Sequence, residues 1–129
     1  MEHYRKKEEK ELIKRFEIHL KMGDNQYFDE DDFLTIINFY LESDKMKWAL
    51  KACDLGLKQY EYSTDLIADK AEILTRTGRL SEAISCIDAA LIYAPSDVDL
   101  LMQKGSLHTI SGEYLSSVAC FKKILPMTE

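Results

Sequence analysis

Three histidines and three cysteines are the side chains in this sequence best suited to nucleophilic, acid–base or metal chemistry. Their spacing argues against each use. Cys53, Cys86 and Cys120 form no CxxC pair and have no histidine beside them, so neither a zinc site nor a disulfide framework is expected. His3 is terminal and His19 lies beside an apolar stripe, which makes packing or solvation their expected role. The acidic run Asp29 to Asp32 has carboxylates but lacks the alternating ligands and central glycine of a calcium loop. Gly-rich phosphate loops, HExxH and GxSxG are all absent from the sequence, and these are the spacings that would align a nucleophile, base or phosphate cradle. No catalytic residue, metal or cofactor is expected.

The composition points the same way. Of 129 residues, 46% are hydrophobic and 31% charged, with two prolines and five glycines, a composition rich in helix formers. The formal charge of -6 and the pI near 5.1 disfavour a nucleic-acid partner, because phosphate recognition needs Lys and Arg in excess on one face. The N-terminal segment through Gly23 is charged throughout and lacks an apolar signal core. No apolar run reaches the length of a membrane span. A cytoplasmic protein without membrane contact is expected. Arg5, Lys6 and Lys7 are followed directly by Glu8, Glu9 and Glu11, which reads as a solvated helix face.

Internal self-similarity is the strongest signal. Gly78 in RTGRLSEA and Gly112 in ISGEYLSS mark the same point of two successive copies, and residues around them keep the same period. Leu80 matches Tyr114, Ala83 matches Ser117, Ile87 matches Phe121 and Ala90 matches Ile124. One period before Gly78 stands Asp44, followed by Met46, Ala49, Cys53 and Gly56 in the same register. A turn glycine, a large residue two positions on, then small and apolar residues at fixed offsets resemble the tetratricopeptide repeat (TPR) of bacterial type, whose period of about 34 residues this register matches.

The second copy carries the resemblance best, ending in Ala94-Pro95. The first has Tyr40 at the family's helix A aromatic position but Asp44 at the turn. In the third, Gly105 holds the small helix A position and His108 replaces the aromatic, which gives this histidine a packing role.

Apolar residues in Phe33 to Leu41 and Leu66 to Leu74 recur at three- and four-residue steps, as an amphipathic helix requires. Asp29 to Asp32, Ser63 to Asp65 and Ser96-Asp97 supply N-caps and negative charge at helix starts. Helices are expected near 4–22, 30–42, 46–58, 64–76, 80–93, 98–110 and 114–125. The fold class is all-α: an α-solenoid of three TPR helix pairs preceded by an N-terminal capping helix, within one continuous domain. Its parts are the N-terminal helix and connection (1–29), TPR 1 (30–63), TPR 2 (64–97) and TPR 3 (98–129). Leu12, Ile13, Phe16 and Leu20 give the first helix one narrow apolar stripe for covering the front of the stack, with Tyr27-Phe28 tucked beneath it. Trp48 lies off the signature positions, either as a surface anchor or partly buried by its neighbours.

The resemblance implies a non-catalytic protein-interaction module, a scaffold or adaptor in a bacterial cytoplasmic assembly, with helix A faces lining a concave groove for a peptide or helix. By repeat position the groove residues are Asp31, Leu34, Asn38, Leu41 and Glu42; Asp65, Ala68, Glu72, Thr75 and Arg76; and Asp99, Met102, Ser106, Thr109 and Ile110. Five acids against one arginine make it negative, so a basic or amphipathic partner is expected. TPR domains that grip a carboxylate tail use Lys, Arg and Asn at helix A positions. Only Asn38 fits, while Leu34, Asp69, Asp99 and Gln103 occupy the rest, so such a ligand would be repelled. The alternative reading is self-association. Leu50 and Leu57, then Ile84 and Leu91, face the following repeat by position, and their third-copy equivalents Val118 and Leu125 have no repeat after them. That face is expected to meet further repeats or to form a homodimer through the C-terminal helix.

Overall fold

The computed structural model describes residues 2–23 and 26–127, with side chains from Lys6 onward. The side chains of His3 and Arg5 lie outside those described, as do Thr128 and Glu129. The described residues form helices and no strand: α1 (Glu2–Met22), α2 (Glu30–Glu42), α3 (Met46–Gln59), α4 (Thr64–Arg76), α5 (Leu80–Tyr93), α6 (Val98–Ile110) and α7 (Tyr114–Ile124), with a 3-10 turn at Leu125–Met127. Helices α2 and α3, α4 and α5, and α6 and α7 form hairpins. Each hairpin packs on the next, because α4 touches both α3 and α2, and α6 touches both α5 and α4.

The repeat register is written into both ends of the first helix of every pair. Asp29, Ser63 and Asp97 are its N-caps, and their side chains accept from the backbone N–H of Asp32 (2.7 Å), Leu66 (3.2 Å) and Leu100 (3.0 Å). Each cap satisfies a donor that the helix start leaves without a partner. Asp29 and Asp32 complete a reciprocal capping box. At the other end, Asp44, Gly78 and Gly112 adopt φ of 57°, 78° and 79°. The next residue's N–H returns to the carbonyl five positions back: Lys45 to Tyr40, Arg79 to Leu74 and Glu113 to His108, each at 2.8 Å. This is the Schellman termination, which reverses the chain in two residues and requires a left-handed conformation that only glycine adopts without a Cβ penalty. An aspartate there is what breaks the first copy's resemblance in sequence, while the backbone keeps the shape.

The first core joins α1 to the first hairpin. Ile13, Phe16, Phe28, Phe33 and Tyr40 are buried together, with the Phe16 ring edge-on to Phe28 at 5.8 Å. Tyr40 donates its hydroxyl to Glu17 (3.2 Å), so the apolar stripe of α1 covers the front of the stack and one polar bond orients it. Phe28 tucks in as the sequence predicts, but Tyr27 does not: it is 71% exposed, because Arg15, stacked over Phe28 and bonded to the Tyr27 carbonyl (3.0 Å), holds the connection with its tyrosine side chain outward. Trp48 is half-exposed and stacks on Tyr40 at 5.8 Å, the partial burial of the two sequence alternatives. His19 meets Phe28 edge-on at 5.7 Å.

A second core of Ala71, Leu74, Ala83, Ile87, Ala90, Leu100 and Leu107 joins the remaining hairpins. In α7 the register of burial departs from the earlier copies. Ser117 and Ile124 are buried, but Tyr114 and Phe121 remain exposed, because among the described helices only α6 packs on α7.

Candidate functional site: a concave groove between the second and third hairpins

Helices α4 and α6, the first helices of adjacent pairs, wall a concavity of about 500 Å³. Its lining is apolar at Ala68, Leu107 and Ile110 and acidic at Asp69, Glu72 and Asp99. Capping places these side chains, since Ser63 and Asp97 set both helices in the same phase. Gln103 reaches across from α6 and donates Nε2 to the Ala68 carbonyl of α4 (2.9 Å), fixing the spacing of the walls. Arg76 is the cation of the lining, and it is bound to Glu72 one turn earlier at 3.2 Å. Its charge is therefore spent inside the groove wall.

Asp69 stands apart from these paired groups. It is half-buried, and among the described residues it has no hydrogen bond or ion pair. Burial, then the carboxylates of Glu72 and Asp65, push its carboxyl up to about 6, since burial disfavours the charged form and a neighbouring carboxylate disfavours a second negative charge.

Of the groove residues predicted from sequence, Ala68, Glu72, Arg76, Asp99 and Ser106 come together here, with Thr75 and Ile110. The others do not line this concavity. Met102 and Asp65 are exposed on α6 and α4, and Asp31 is exposed on the first turn of α2. Leu34 packs half-buried against the first core. Asn38 bonds to Glu42 (3.2 Å) and lines a separate depression with Glu8, Glu11 and Arg15 of α1. Helix α1 lies against α2 and forms the other wall of that depression. Val118 of α7 (48% exposed) and Leu125 of the following 3-10 turn (62%) are exposed, as is Leu115 of α7 at 89%.

Sequence reasoning places Asp69 and Gln103 only as departures from a carboxylate clamp, not as groove-lining residues. It also misses a repeated ion pair. Asp54 of α3 meets Lys70 of α4 at 2.9 Å, and one period later Asp88 of α5 meets Lys104 of α6 at 2.6 Å. The separation of Asp54 from Lys70, reproduced one period on by Asp88 and Lys104, is the signal that would have found it. The pair clips the second helix of one hairpin to the first helix of the next.

The buried nucleophiles and bases lack activating partners. Burial pushes the Cys53 thiol well up, and Asp69 and Asp54 add to this; burial also pushes Cys86 up. A reactive thiol needs the opposite shift. His108 is buried with Nδ1 unbonded, 3.7 Å from Glu113 Oε2, too far for a hydrogen bond. Among the described residues no cluster of three His, Cys, Asp or Glu could hold a metal ion, and no helix is long and apolar enough to cross a membrane.

Hairpins that recur in one register, each closed by a left-handed turn residue and stacked through its first helix, define a helical-repeat solenoid. No family model and no curated protein matches this sequence. Solved structures do match its backbone. It is similar to the second TPR of Spaghetti (RPAP3) bound to the HSP90 peptide SRMEEVD, with 17% identity and a TM-score of 0.67 over 74% of this chain and 89% of that one. It is similar also to YrrB, a TPR protein with an unusual peptide-binding site (20% identity, TM-score 0.75), covering 96% of this chain and 62% of that one. MamA from AMB-1 matches with 18% identity and a TM-score of 0.71, over 92% of this chain and 61% of its own. The chain thus spans about three fifths of the YrrB and MamA chains. Its fold is the tetratricopeptide-repeat fold, as the sequence resemblance implies.

Proposed function

We propose that this protein is a non-catalytic, cytoplasmic interaction module of three repeats, 30–63, 64–97 and 98–129, which binds a basic or amphipathic protein segment in its concave groove. The observation that carries this reading is the lining between α4 and α6: three acids over an apolar floor, with the one arginine already paired to Glu72. An apolar floor gives an extended segment or helix surface to bury, and the uncompensated carboxylates select positive charge. The peptide SRMEEVD held by the RPAP3 domain carries two glutamates and an aspartate against one arginine. A ligand of that charge would be repelled here.

Titration calorimetry with an acetylated, amidated alternating Leu–Lys heptapeptide and its Leu–Glu counterpart tests the reading. The lysine peptide should bind more tightly and weaken as salt rises. Tighter binding of the glutamate peptide would refute it.

A second reading has one specific observation in its favour. Helix α7 exposes Leu115 and Val118, the turn after it exposes Leu125, and Lys122 stands where the two earlier copies carry Asp54 and Asp88. A further repeat built like α4 or α6 would set its lysine against Lys122, so a second copy of this chain is the occupant this reading favours. Sedimentation over a range of concentrations should show association that is lost when Val118 and Leu125 are made polar. A concentration-independent monomer rules the dimer out.

A further inference from the structure

Resting on the groove reading, we propose that Asp69 is the residue that selects the ligand: it receives a lysine or arginine side chain of the bound segment, so that a proton and the partner compete for the same carboxylate.

The argument begins with repeat position. Asp69 and Gln103 are equivalent, one period apart. Gln103 carries an amide N–H and spends it on the Ala68 carbonyl of the preceding repeat. An ionised aspartate has no proton to donate, so the same bridge from α4 to α2 cannot form. Asp69 is left half-buried, lining the groove and without a donor among the described residues. A carboxylate removed from water gains most from a charge-assisted bond when such a donor arrives.

The charges around Asp69 leave that vacancy to an outside cation. Asp65 and Glu72 on its own helix are negative. On the groove wall are Asp99 and Arg76, the latter held by Glu72. The equivalent concave positions of α2 carry Asp31 and Glu42. From α3 the Cys53 thiol interacts with Asp69, and burial keeps it protonated. Lys70, next in sequence, is turned to Asp54 at 2.9 Å. Among the described residues each nearby cation is thus engaged, and every other neighbour that can carry charge is acidic.

In the free protein the Asp69 carboxyl is pushed up to about 6. A bound ammonium or guanidinium pulls it back down, so binding releases the proton. Affinity should therefore rise about tenfold between pH 5 and pH 7 and level off above, because a group titrating near 6 is about nine-tenths protonated at the lower pH and nine-tenths ionised at the upper.

The test uses the full chain and the Leu–Lys heptapeptide. Calorimetry across this pH range, in two buffers of different ionisation heat, should show the rise in affinity together with proton release. Asp69→Asn should bind about tenfold more weakly at pH 7 and lose the pH dependence, while Asp99→Asn, on the facing wall and not among the groups that shift Asp69, should keep it. The Asp69 carboxyl carbon, followed by NMR, should titrate near 6 without peptide and lower with it. If the peptide binds but Asp69→Asn leaves both its affinity and its pH profile unchanged, the assignment of Asp69 is wrong and the groove reading stands. If neither the lysine nor the glutamate peptide binds, both fall.

Discussion

Gly56 lies inside α3, where two effects oppose each other on replacement by alanine. A helix interior favours alanine over glycine by about 0.8 to 1 kcal/mol. Space argues the other way. A Cβ built at Gly56 would lie 3.1 Å from Leu66 Cδ1, 3.1 Å from Phe33 Cγ and 3.3 Å from Phe33 Cδ1. Leu66 and Phe33 are both buried. The leucine methyl is a side-chain tip and can turn aside. Phe33 Cγ is the root of its ring, and that ring is boxed by Phe28 at 5.7 Å and Tyr60 at 6.3 Å. Tyr60 is itself anchored by its hydroxyl to the Phe28 carbonyl (3.1 Å). Overpacking such a site costs about 1 to 3 kcal/mol, so Gly56→Ala should lose about 1 kcal/mol net.

Urea unfolding followed by circular dichroism would show a lower midpoint with unchanged slope, and heating would show a melt lowered by about 3 to 6 °C. Two other glycines separate the causes. Gly78→Ala meets nothing within 4 Å but must hold φ at 78°, so it should lose about 1 kcal/mol through backbone conformation alone. Gly105→Ala would press on the Phe121 ring, 2.8 Å at the nearest atom, but that ring is partly exposed and can swing outward, so its loss should be smaller than that of Gly56→Ala. A Gly56→Ala protein as stable as its parent, or more so, would refute the packing argument.

Other outcomes follow from the same geometry. Asp44→Gly should stabilise the fold by about 0.5 to 1 kcal/mol, because it removes a Cβ held at φ 57°; a thermal melt decides it. Asp69→Asn should be more stable than its parent at pH 7, with the difference vanishing toward pH 4. Here the carboxyl rises from 3.8 to about 6 on folding, so the folded chain holds its proton more tightly than the unfolded chain, and ionisation between those values opposes folding; urea midpoints across pH would show it. Double-mutant cycles on Asp54–Lys70 and Asp88–Lys104 should give similar coupling, about 0.2 to 1 kcal/mol each, shrinking with salt. Phe28→Ala should cost about 3 to 5 kcal/mol by urea unfolding, since its ring joins Phe16 of α1 to Phe33 of α2.

Local order was legible in the residues alone, because caps, turns and amphipathic periods act over a few positions of chain. The starts of α2, α4 and α6 follow from Asp29, Ser63 and Asp97, whose short polar side chains satisfy the first backbone donors. The turn at Asp44 follows from its register with Gly78 and Gly112. The front cover by α1 follows from a stripe of four apolar residues. Each of these signals shapes one helix or one turn.

What only the tertiary structure decided lies between helices. Asp69 and Gln103 are a matched pair in register, yet one bridges two hairpins and the other is left without a donor. The groove itself spans α4 and α6, while Asn38 of α2, bonded to Glu42, lines a separate depression beside α1. Charge and burial at such positions depend on which side chains approach through space from another repeat, and a one-dimensional repeat period specifies the helix face but not that neighbour.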